Sequence, residues 1–383
     1  MKIKKNYLLS PGPTPVPPEV ALAGARELIH HRTPQFQKII QEVSEGLKYL
    51  FNTQNAVYTL ASSGTGVMEA AVANLTSPKD TILAVEGGKF GERWSEIGRA
   101  FGLNVVTIKV ENGRAVSAAQ IEEGLKKNPS AKAVFTQLSE TSTGCVYDIE
   151  AIGAVVAKTS ALLVVDGISG LGAEVCHPDR WGVDCLLTGS QKGVMLPPGL
   201  GFISLSQKGW AVCEKSSSPR YYFDLRSYKK ALGKKDTPYT PAISLFFQLN
   251  EALKIVRQET LEGLWKRHLW LGDATRAAVK SLSLELFAER PGNVLTAVKV
   301  PGGVDGEKLV TQMRDDLGVS IAGGQGDEMK GKIFRIAHLG YMDRFDITTG
   351  IACLEIALKR QGFGVKLGTG VAAAQEILWK EPQ

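Results

Sequence analysis

The sequence lacks the cysteine spacing of a disulfide framework or a metal cluster. Its 383 residues contain five cysteines, an odd number, and no Cys-x-x-Cys pair. Disulfide frameworks use cysteines in pairs, and cysteine-ligated zinc sites and iron–sulfur clusters typically use closely spaced ones. We therefore expect a cytoplasmic protein that binds no metal.

Long apolar runs and blocks of like charge are also missing. No apolar run approaches the roughly 20 residues that cross a bilayer. The apolar stretch behind the charged N-terminus stops after three residues at Ser10, too short for a signal peptide. The formal net charge is only +6, and no basic stripe is interleaved with aromatic residues. These absences predict a soluble protein without a membrane or nucleic-acid partner.

Short apolar runs alternate with helical patterns through the first half of the chain. An amphipathic helix is predicted over 35–51, and strands are predicted over 56–61, 81–87, 105–110, 133–138, 161–166 and 183–188. Such alternation predicts an α/β fold with a mostly parallel sheet and helices on both faces. Ligand sites in such folds lie at the carboxyl ends of the strands.

The pattern changes at about residue 245. One long helical stretch is followed by short strands at 295–300 and 332–339 and a last helix at 347–360. We expect an N-terminal arm over 1–20, a large domain over 21–260 and a smaller α+β domain over 261–383, with the long helix between the two domains.

One lysine stands alone at a predicted strand end. Lys192 lies in the turn GSQKG and has no charged neighbour between Asp184 and Lys208. A solvated surface amine is one interpretation. The other is an amine in a desolvated pocket, where its pKa falls and it forms Schiff bases with carbonyl groups.

An acid and a glycine-rich turn occupy two further strand ends. Asp166 is the last residue of the strand 161–166. It either caps a helix or turn, or it accepts a hydrogen bond from a protonated ring nitrogen of a cofactor. The turn SSGTG at 62–66 leads into a helix, and such turns bind phosphate through backbone N–H groups. It is not a dinucleotide fingerprint, because Glu69 stands where the third glycine belongs. A simple helix cap is the alternative.

An arginine interrupts an apolar strand near the C-terminus. Arg335 lies in FRIAHLG, and a buried arginine needs an anion, for which a carboxylate is the best geometric match. A substrate carboxylate and a structural salt bridge both fit this pattern.

These four features together match pyridoxal 5′-phosphate (PLP) and an amino-acid substrate. The chain resembles the class V, fold-type I aminotransferases of the alanine–glyoxylate and serine–pyruvate group. The motifs that carry the resemblance follow one another along nearly the full length: PGPTPVPPEV, SSGTGVMEAA, GGKFGERW, SETSTG, VVDGISGLGA, GSQKG with LPPG, and FRIAHLG.

The resemblance implies a role for each site residue. Lys192 would form the Schiff base with PLP, Asp166 would pair with the pyridinium nitrogen, and Arg335 would bind the substrate α-carboxylate. The cofactor ring would be contacted by Phe90, which stacks on it, and by Thr141 and Ile168. The phosphate would be held by Ser63, Gly64, Thr65 and Gln191.

The resemblance further implies a homodimer with composite active sites. Thr240 and Thr237 would reach the phosphate bound by the partner subunit. A tyrosine that relatives often carry at the Thr237 position is absent here, which weakens the expectation for that residue.

We expect amino transfer from alanine or serine to glyoxylate or pyruvate by a ping-pong mechanism. Aspartate is an alternative donor if a second cation exists, and Arg32 is the first candidate for that cation. His30 and His31 either border the site or only pack a loop.

Two rival functions remain open. A PLP lyase or cysteine desulfurase would share the scaffold, but desulfurases stack a histidine on the ring, where this chain has Phe90, and use a cysteine in a mobile loop. A redox or binding subunit is the rival from another class, and the lack of paired-cysteine spacing argues against a nickel or iron–sulfur site in it.

Overall fold

Fourteen strands build the sheets of the computed structural model, which describes residues 5–382. The strands are β1 (Tyr7–Leu8), β2 (Val57–Ala61), β3 (Thr81–Glu86), β4 (Asn104–Lys109), β5 (Ala133–Gln137), β6 (Ser139–Glu140), β7 (Cys145–Val146), β8 (Leu162–Asp166), β9 (Cys185–Gly189), β10 (Leu200–Leu205), β11 (Leu295–Lys299), β12 (Val319–Ser320), β13 (Ala322–Gly323) and β14 (Ile333–Ala337).

Helices connect and cover these strands. They are α1 (Pro18–Ala23), α2 (Pro34–Phe51), α3 (Gly64–Leu75), α4 (Lys89–Ala100), α5 (Ala118–Lys127), α6 (Ile149–Val156), α7 (Gln207–Cys213), α8 (Leu225–Leu232), α9 (Ile243–Glu259), α10 (Leu261–Ser281), α11 (Gly306–Asp315), α12 (Gly326–Met329), α13 (Arg344–Arg360) and α14 (Thr369–Leu378). Among residues 5–382, no helix is both long and apolar enough to cross a membrane.

The central sheet has seven strands in the order β2-β10-β9-β8-β5-β3-β4. All of its pairings are parallel except those of β10, which runs antiparallel to both β2 and β9. Every residue of β5, β8 and β9 is buried, as expected for strands covered on both faces. The α/β prediction with a mostly parallel sheet is confirmed.

Local sequence signals account for the helix boundaries. Helix α2 begins after Thr33, whose hydroxyl accepts a hydrogen bond from the backbone N–H of Phe36, and Pro34 occupies its first turn. The long helix predicted from residue 245 is in fact two helices, α9 and α10. The chain breaks at Thr260, which has a φ of 68° and caps α10. A further helix, α14, follows the one that we predicted to be last.

A second sheet and a second hydrophobic core lie in the C-terminal part of the chain. Its strands have the antiparallel order β11-β14-β13, with α10, α13 and α14 among the helices that pack in this region. Strand β1 of the N-terminal arm pairs in parallel with β12. The arm therefore joins the C-terminal region before the chain continues to the central sheet.

Candidate active site

The carboxyl ends of β8 and β9 carry the two residues on which the predicted chemistry depends. Asp166 is the last residue of β8, and Lys192 lies in the turn just after β9. Both side chains are buried: Lys192 is only 8% exposed and Asp166 4%. The surface interpretation of Lys192 is thereby wrong.

Burial gives the Lys192 amine an unusual acidity. It lowers the pKa of Lys192 to about 8, because the charged ammonium loses its hydration, and the positive charges of Arg335 and Arg93 act in the same direction. The Asp166 carboxylate opposes this shift. A substantial fraction of the amine is therefore neutral, and able to act as a nucleophile, near pH 8.

The N-terminal arm contacts this amine directly, which we did not anticipate from the sequence. Lys192 Nζ donates a hydrogen bond to the carbonyl oxygen of Pro11. Thr14 secures the arm, since its Oγ1 donates to the Lys192 carbonyl at 3.0 Å and its N–H to the Gln191 carbonyl at 3.1 Å. At Gly12 the φ is +143°, and a Cβ there would lie 2.4 Å from Lys192 Nζ. A side chain at this point of the arm would strain the backbone and displace the Lys192 amine.

Asp166 is held in place by the turn that follows it. Its Oδ1 accepts a hydrogen bond from the Ile168 N–H at 2.7 Å. Burial raises the pKa of Asp166 to about 7, although that hydrogen bond and the charges of Arg93 and Lys192 lower it. A cationic partner placed against this carboxyl would favour its ionised form.

The glycine-rich turn forms an open helix N-terminus. Ser63 precedes α3, and its hydroxyl accepts no hydrogen bond from the first backbone N–H groups of the helix. A Cβ at Gly64 would lie 2.7 Å from Ile168 Cδ1, which shows how closely the turn approaches the residues after β8. The helix-cap alternative therefore lacks its expected hydrogen bond.

Gln191 lies beside the same turn. Its Oε1 is buried and has no hydrogen-bond partner among the residues described. A Cβ at Gly189 would lie 3.1 Å from that Oε1 and 3.5 Å from the backbone nitrogen of Gly64. The Gln191 side-chain amide and the glycine-rich turn therefore lie on the same side of Gly189. Rotation of the amide brings Nε2 there as a donor.

Three further predicted residues surround this region. Thr141 Oγ1 donates to Ser169 Oγ at 2.6 Å, which joins the segment after β6 to the segment after β8. Phe90 lies in the first turn of helix α4 and is partly exposed. Ile168 is buried against Gly64.

Glu140 fixes the position of Phe90, a role that the sequence did not reveal. This fully buried carboxylate accepts hydrogen bonds from the N–H groups of Phe90 and Gly91 at 3.4 and 3.0 Å. It also accepts from Ser142 Oγ at 2.5 Å and from Gln137 Nε2 at 2.7 Å. An acid at the start of α4 is also favourable for the helix dipole. The SETSTG motif contained the residue but gave no sign of its partners.

Arg335 is buried in β14 without a carboxylate partner. The side chain donates to the Gly323 carbonyl from Nε and Nη2, at 3.1 and 2.6 Å, and to the Thr141 carbonyl from Nη1 at 2.8 Å. Burial lowers its pKa to about 10, opposed by the charge of Glu140. No salt bridge to Arg335 occurs within residues 5–382, so the structural salt bridge considered above is not found. Its bonds to Thr141 place it beside the other site residues.

The remaining candidates do not join this cluster within one chain. Thr240 is exposed, and Thr237 Oγ1 donates to the Tyr239 carbonyl at 2.8 Å. Arg32 forms an ion pair with Asp236 at 2.5 Å, next to the same segment. The rings of His30 and His31 lie against each other, with centroids 4.7 Å apart.

The donors and acceptors of the cluster fit PLP as a ligand. An uncapped helix end and the unpartnered Gln191 amide suit its phosphate, and a buried carboxylate suits its ring nitrogen. A buried amine of lowered pKa suits its aldehyde. In contrast, no three His, Cys, Asp or Glu side chains group as metal ligands in the part of the chain that the structure describes.

Comparison with curated proteins gives relatives over nearly the whole chain. A soluble hydrogenase 42 kDa subunit of Anabaena cylindrica is 43% identical, covering 97% of this chain and 98% of the relative. An L-aspartate–glyoxylate aminotransferase of Paracoccus denitrificans is 37% identical, with 97% and 96% covered. A serine–glyoxylate aminotransferase of Methylorubrum extorquens is 36% identical, with 99% and 97% covered.

Solved structures and the family model agree with these relatives. The ureidoglycine–glyoxylate aminotransferase of Bacillus subtilis superposes with a TM-score of 0.94 at 28% identity, covering 99% of this chain and all (100%) of that one. The fold is the α/β, fold-type I arrangement that the sequence predicted. The family model for "Aminotransferase class-V" matches residues 6–339, and the chain belongs to the class V aminotransferases, a family that implies PLP as cofactor.

Proposed function

We propose that this protein is a PLP-dependent aminotransferase that transfers the amino group of alanine or serine to glyoxylate or pyruvate. The observation that carries the proposal is the buried Lys192 amine, whose pKa falls to about 8 beside the buried Asp166. An amine that is partly neutral near physiological pH can both form a bond to an aldehyde and move a proton.

Each residue then has a defined task. Bound PLP supplies the aldehyde and an electron-accepting ring. Lys192 would hold the cofactor through its aldehyde and, as the neutral amine, would move the α-proton of the amino acid. Asp166 keeps a proton on the ring nitrogen, and Arg335 holds the α-carboxylate that every donor and acceptor shares. Ser63, Gly64, Thr65 and Gln191 hold the phosphate, while Phe90, Thr141 and Ile168 contact the ring.

Small, uncharged substrates are favoured by the charges around the cluster. Arg335 is assigned to the α-carboxylate, and Arg32 already pairs with Asp236. Arg93 donates to Thr65 at the proposed phosphate site. A second substrate carboxylate would be desolvated without a dedicated cation, which costs several kcal/mol. The Methylorubrum relative is a serine–glyoxylate aminotransferase, which supports this choice. Aspartate, the donor named for the Paracoccus relative, is the competing donor.

The site is proposed to be composite, in a homodimer. Thr240 is exposed and lies next to exposed aromatic side chains: Tyr221 is 81% exposed, and the rings of Tyr222 and Tyr239 stack at 4.9 Å. Such a surface suits an interface between subunits. We infer that Thr240 and Thr237 reach the phosphate bound by a second copy of the chain.

The cysteine desulfurase alternative finds little support in the thiols. Cys145, Cys176, Cys185 and Cys213 are buried. Burial raises the pKa of Cys176 to about 12 and that of Cys213 to about 11. Burial also raises the pKa of the half-buried Cys353. A desulfurase needs an accessible thiolate nucleophile, and none of these thiols offers one.

The absorption spectrum of the protein with added PLP tests the proposal. Wild-type protein should develop the visible band of a lysine-bound cofactor and should transaminate alanine or serine with glyoxylate. Lys192→Ala should lose both while it still binds PLP noncovalently. Lys158→Ala is a control, because that lysine is exposed, and it should behave like the wild type. Near-wild-type turnover by Lys192→Ala would contradict the proposal, and a wild type without the visible band would favour the redox-subunit alternative.

A further inference from the structure

Arg93 reaches from helix α4 to the residues of the proposed phosphate site. Its Nη1 lies 3.2 Å from Thr65 Oγ1, to which it donates a hydrogen bond. Its guanidinium carbon lies 5.1 Å from the centroid of the Phe90 ring. Arg93 thus connects Thr65, which is predicted to bind the phosphate, with Phe90, which is predicted to stack on the ring. Neither the sequence motifs nor the family resemblance gave Arg93 a role.

Arg93 differs from the other cations of its helix in having no carboxylate partner. Lys89 pairs with Glu92 at 2.6 Å, and Arg99 approaches Glu86 at 4.0 Å. No carboxylate lies within ion-pair distance of Arg93 among residues 5–382, and the side chain is partly buried. A partly desolvated guanidinium of this kind is suited to an incoming anion.

The proposed phosphate site is otherwise short of positive charge. Ser63, Gly64, Thr65 and Gln191 are all neutral, and a helix N-terminus supplies only about half an elementary charge. A phosphate monoester carries about −1.5 to −2 at neutral pH. Arg93 is close enough for its charge to act on the site, since it lowers the pKa of both Asp166 and Lys192.

We propose that Arg93 is a phosphate-binding residue that acts with Thr65 and sets the affinity of the protein for PLP. The inference rests on the proposed function, because it requires the phosphate to lie at the start of α3. A planar guanidinium that already donates to Thr65 can donate its remaining N–H groups to phosphate oxygens. Arg93 therefore governs retention of the cofactor rather than the choice of amino acid.

Binding of PLP and of pyridoxal to the apoprotein of Arg93→Gln tests this role, since pyridoxal lacks only the phosphate. We expect Arg93→Gln to weaken PLP binding by about 10- to 100-fold, the effect of one charge-assisted hydrogen bond, and to weaken pyridoxal binding far less. Arg93→Lys should recover part of the PLP affinity. Arg99→Gln, on the same helix, is the matched control and should leave both affinities unchanged.

Three results would overturn the inference. Equal losses for PLP and pyridoxal would indicate a structural role for Arg93. Unchanged PLP affinity with a raised KM for aspartate alone would assign the guanidinium to a second substrate carboxylate. Unchanged PLP affinity and unchanged kinetics would leave Arg93 without a role. In each of these cases the wild-type protein still forms the visible band with PLP. A wild-type protein that forms no such band would instead refute the proposed function, and this inference with it.

Discussion

The ε-amine of Lys192 donates a hydrogen bond to the carbonyl oxygen of Pro11, which lies 181 positions earlier in the chain. The amine is therefore positioned from two directions, by the turn after β9 and by the N-terminal arm. The close approach is possible because Gly12 has no side chain, and this makes Gly12 a sensitive position.

Gly12→Ala is expected to impair attachment of PLP. The added Cβ would lie 2.4 Å from Lys192 Nζ, and alanine disfavours the φ of +143° at this residue. Backbone strain of this kind costs about 1–3 kcal/mol, so the free energy of unfolding in urea should fall by a similar amount. The rate at which the visible band appears should fall as well. Gly302→Ala is the control, because nothing lies within 4 Å of its Cβ position; equal behaviour of the two variants would show that the arm does not restrict the amine.

Attachment of PLP to the apoprotein should depend on pH through Lys192. Its pKa is lowered to about 8, and only the neutral amine attacks the aldehyde. The rate should rise by about tenfold per pH unit below pH 8 and level off above it. Stopped-flow absorbance from pH 6 to pH 10 measures this, and a rate that still rises about tenfold per unit up to pH 10, as expected for the ordinary lysine value of 10.5, would show that the amine is not desolvated.

Asp166→Asn should reduce catalysis far more than it reduces PLP affinity. An amide cannot keep the ring nitrogen protonated, and a hydrogen bond to a charged group contributes about 1.5–3 kcal/mol. We expect the half-reaction with alanine to slow by at least about tenfold, while titration of the visible band gives a similar dissociation constant. An unchanged half-reaction rate would remove Asp166 from the pyridinium role.

Arg335→Lys should raise KM for donor and acceptor together by about 10- to 100-fold. The lysine keeps the charge but loses the planar match to a carboxylate. Arg360→Lys, at a side chain 48% exposed, serves as the control.

In wild type, kcat/KM for alanine, serine and aspartate with glyoxylate ranks the donors. A highest value for aspartate would refute the preference for uncharged substrates.

Complementation between two inactive variants tests the composite site. Thr240→Asp places a negative charge where the partner's phosphate is proposed to bind, and Lys192→Ala removes the amine. After unfolding and joint refolding at equal amounts, each mixed dimer has one intact site, so about a quarter of wild-type activity should return. Sedimentation should show a dimer. Failure to regain activity in mixed dimers, or a fully active monomer, would contradict the arrangement.

Most strands of the central sheet, and the placement of Asp166 and Lys192 at two strand ends, were predictable because local patterns encode them. Buried parallel strands have continuous apolar runs, and Asp166 and Lys192 stand out as isolated charges at the ends of such runs. Strand β10 was missed, since its antiparallel pairing to β2 and β9 depends on distant partners and Pro197 and Pro198 before it suggested only a turn.

The contacts of Gly12, Arg93 and Glu140 could not be read from the sequence for a similar reason. Gly12 acts on a lysine 180 positions away, and Arg93 acts on Thr65 in another helix. Glu140 lies in the SETSTG motif, but the hydrogen bonds that connect it to α4 come from backbone N–H groups, which any sequence could supply. A motif indicates which chemistry a residue can perform. The residues with which it forms hydrogen bonds or contacts depend on how distant segments pack together.

The arm has a mechanical consequence for the molecule. Leu9 donates to the Ser320 carbonyl and accepts from the Ala337 N–H, both in the C-terminal region, and Thr14 bonds to the Gln191 and Lys192 carbonyls. The five peptide units between them form a tether that is shorter than about 20 Å when fully stretched. The two anchoring points therefore cannot separate beyond this length unless the hydrogen bonds of Leu9 or Thr14 break. Because the Pro11 carbonyl that accepts from Lys192 lies within the same tether, its ends and the Lys192 amine are held in one register.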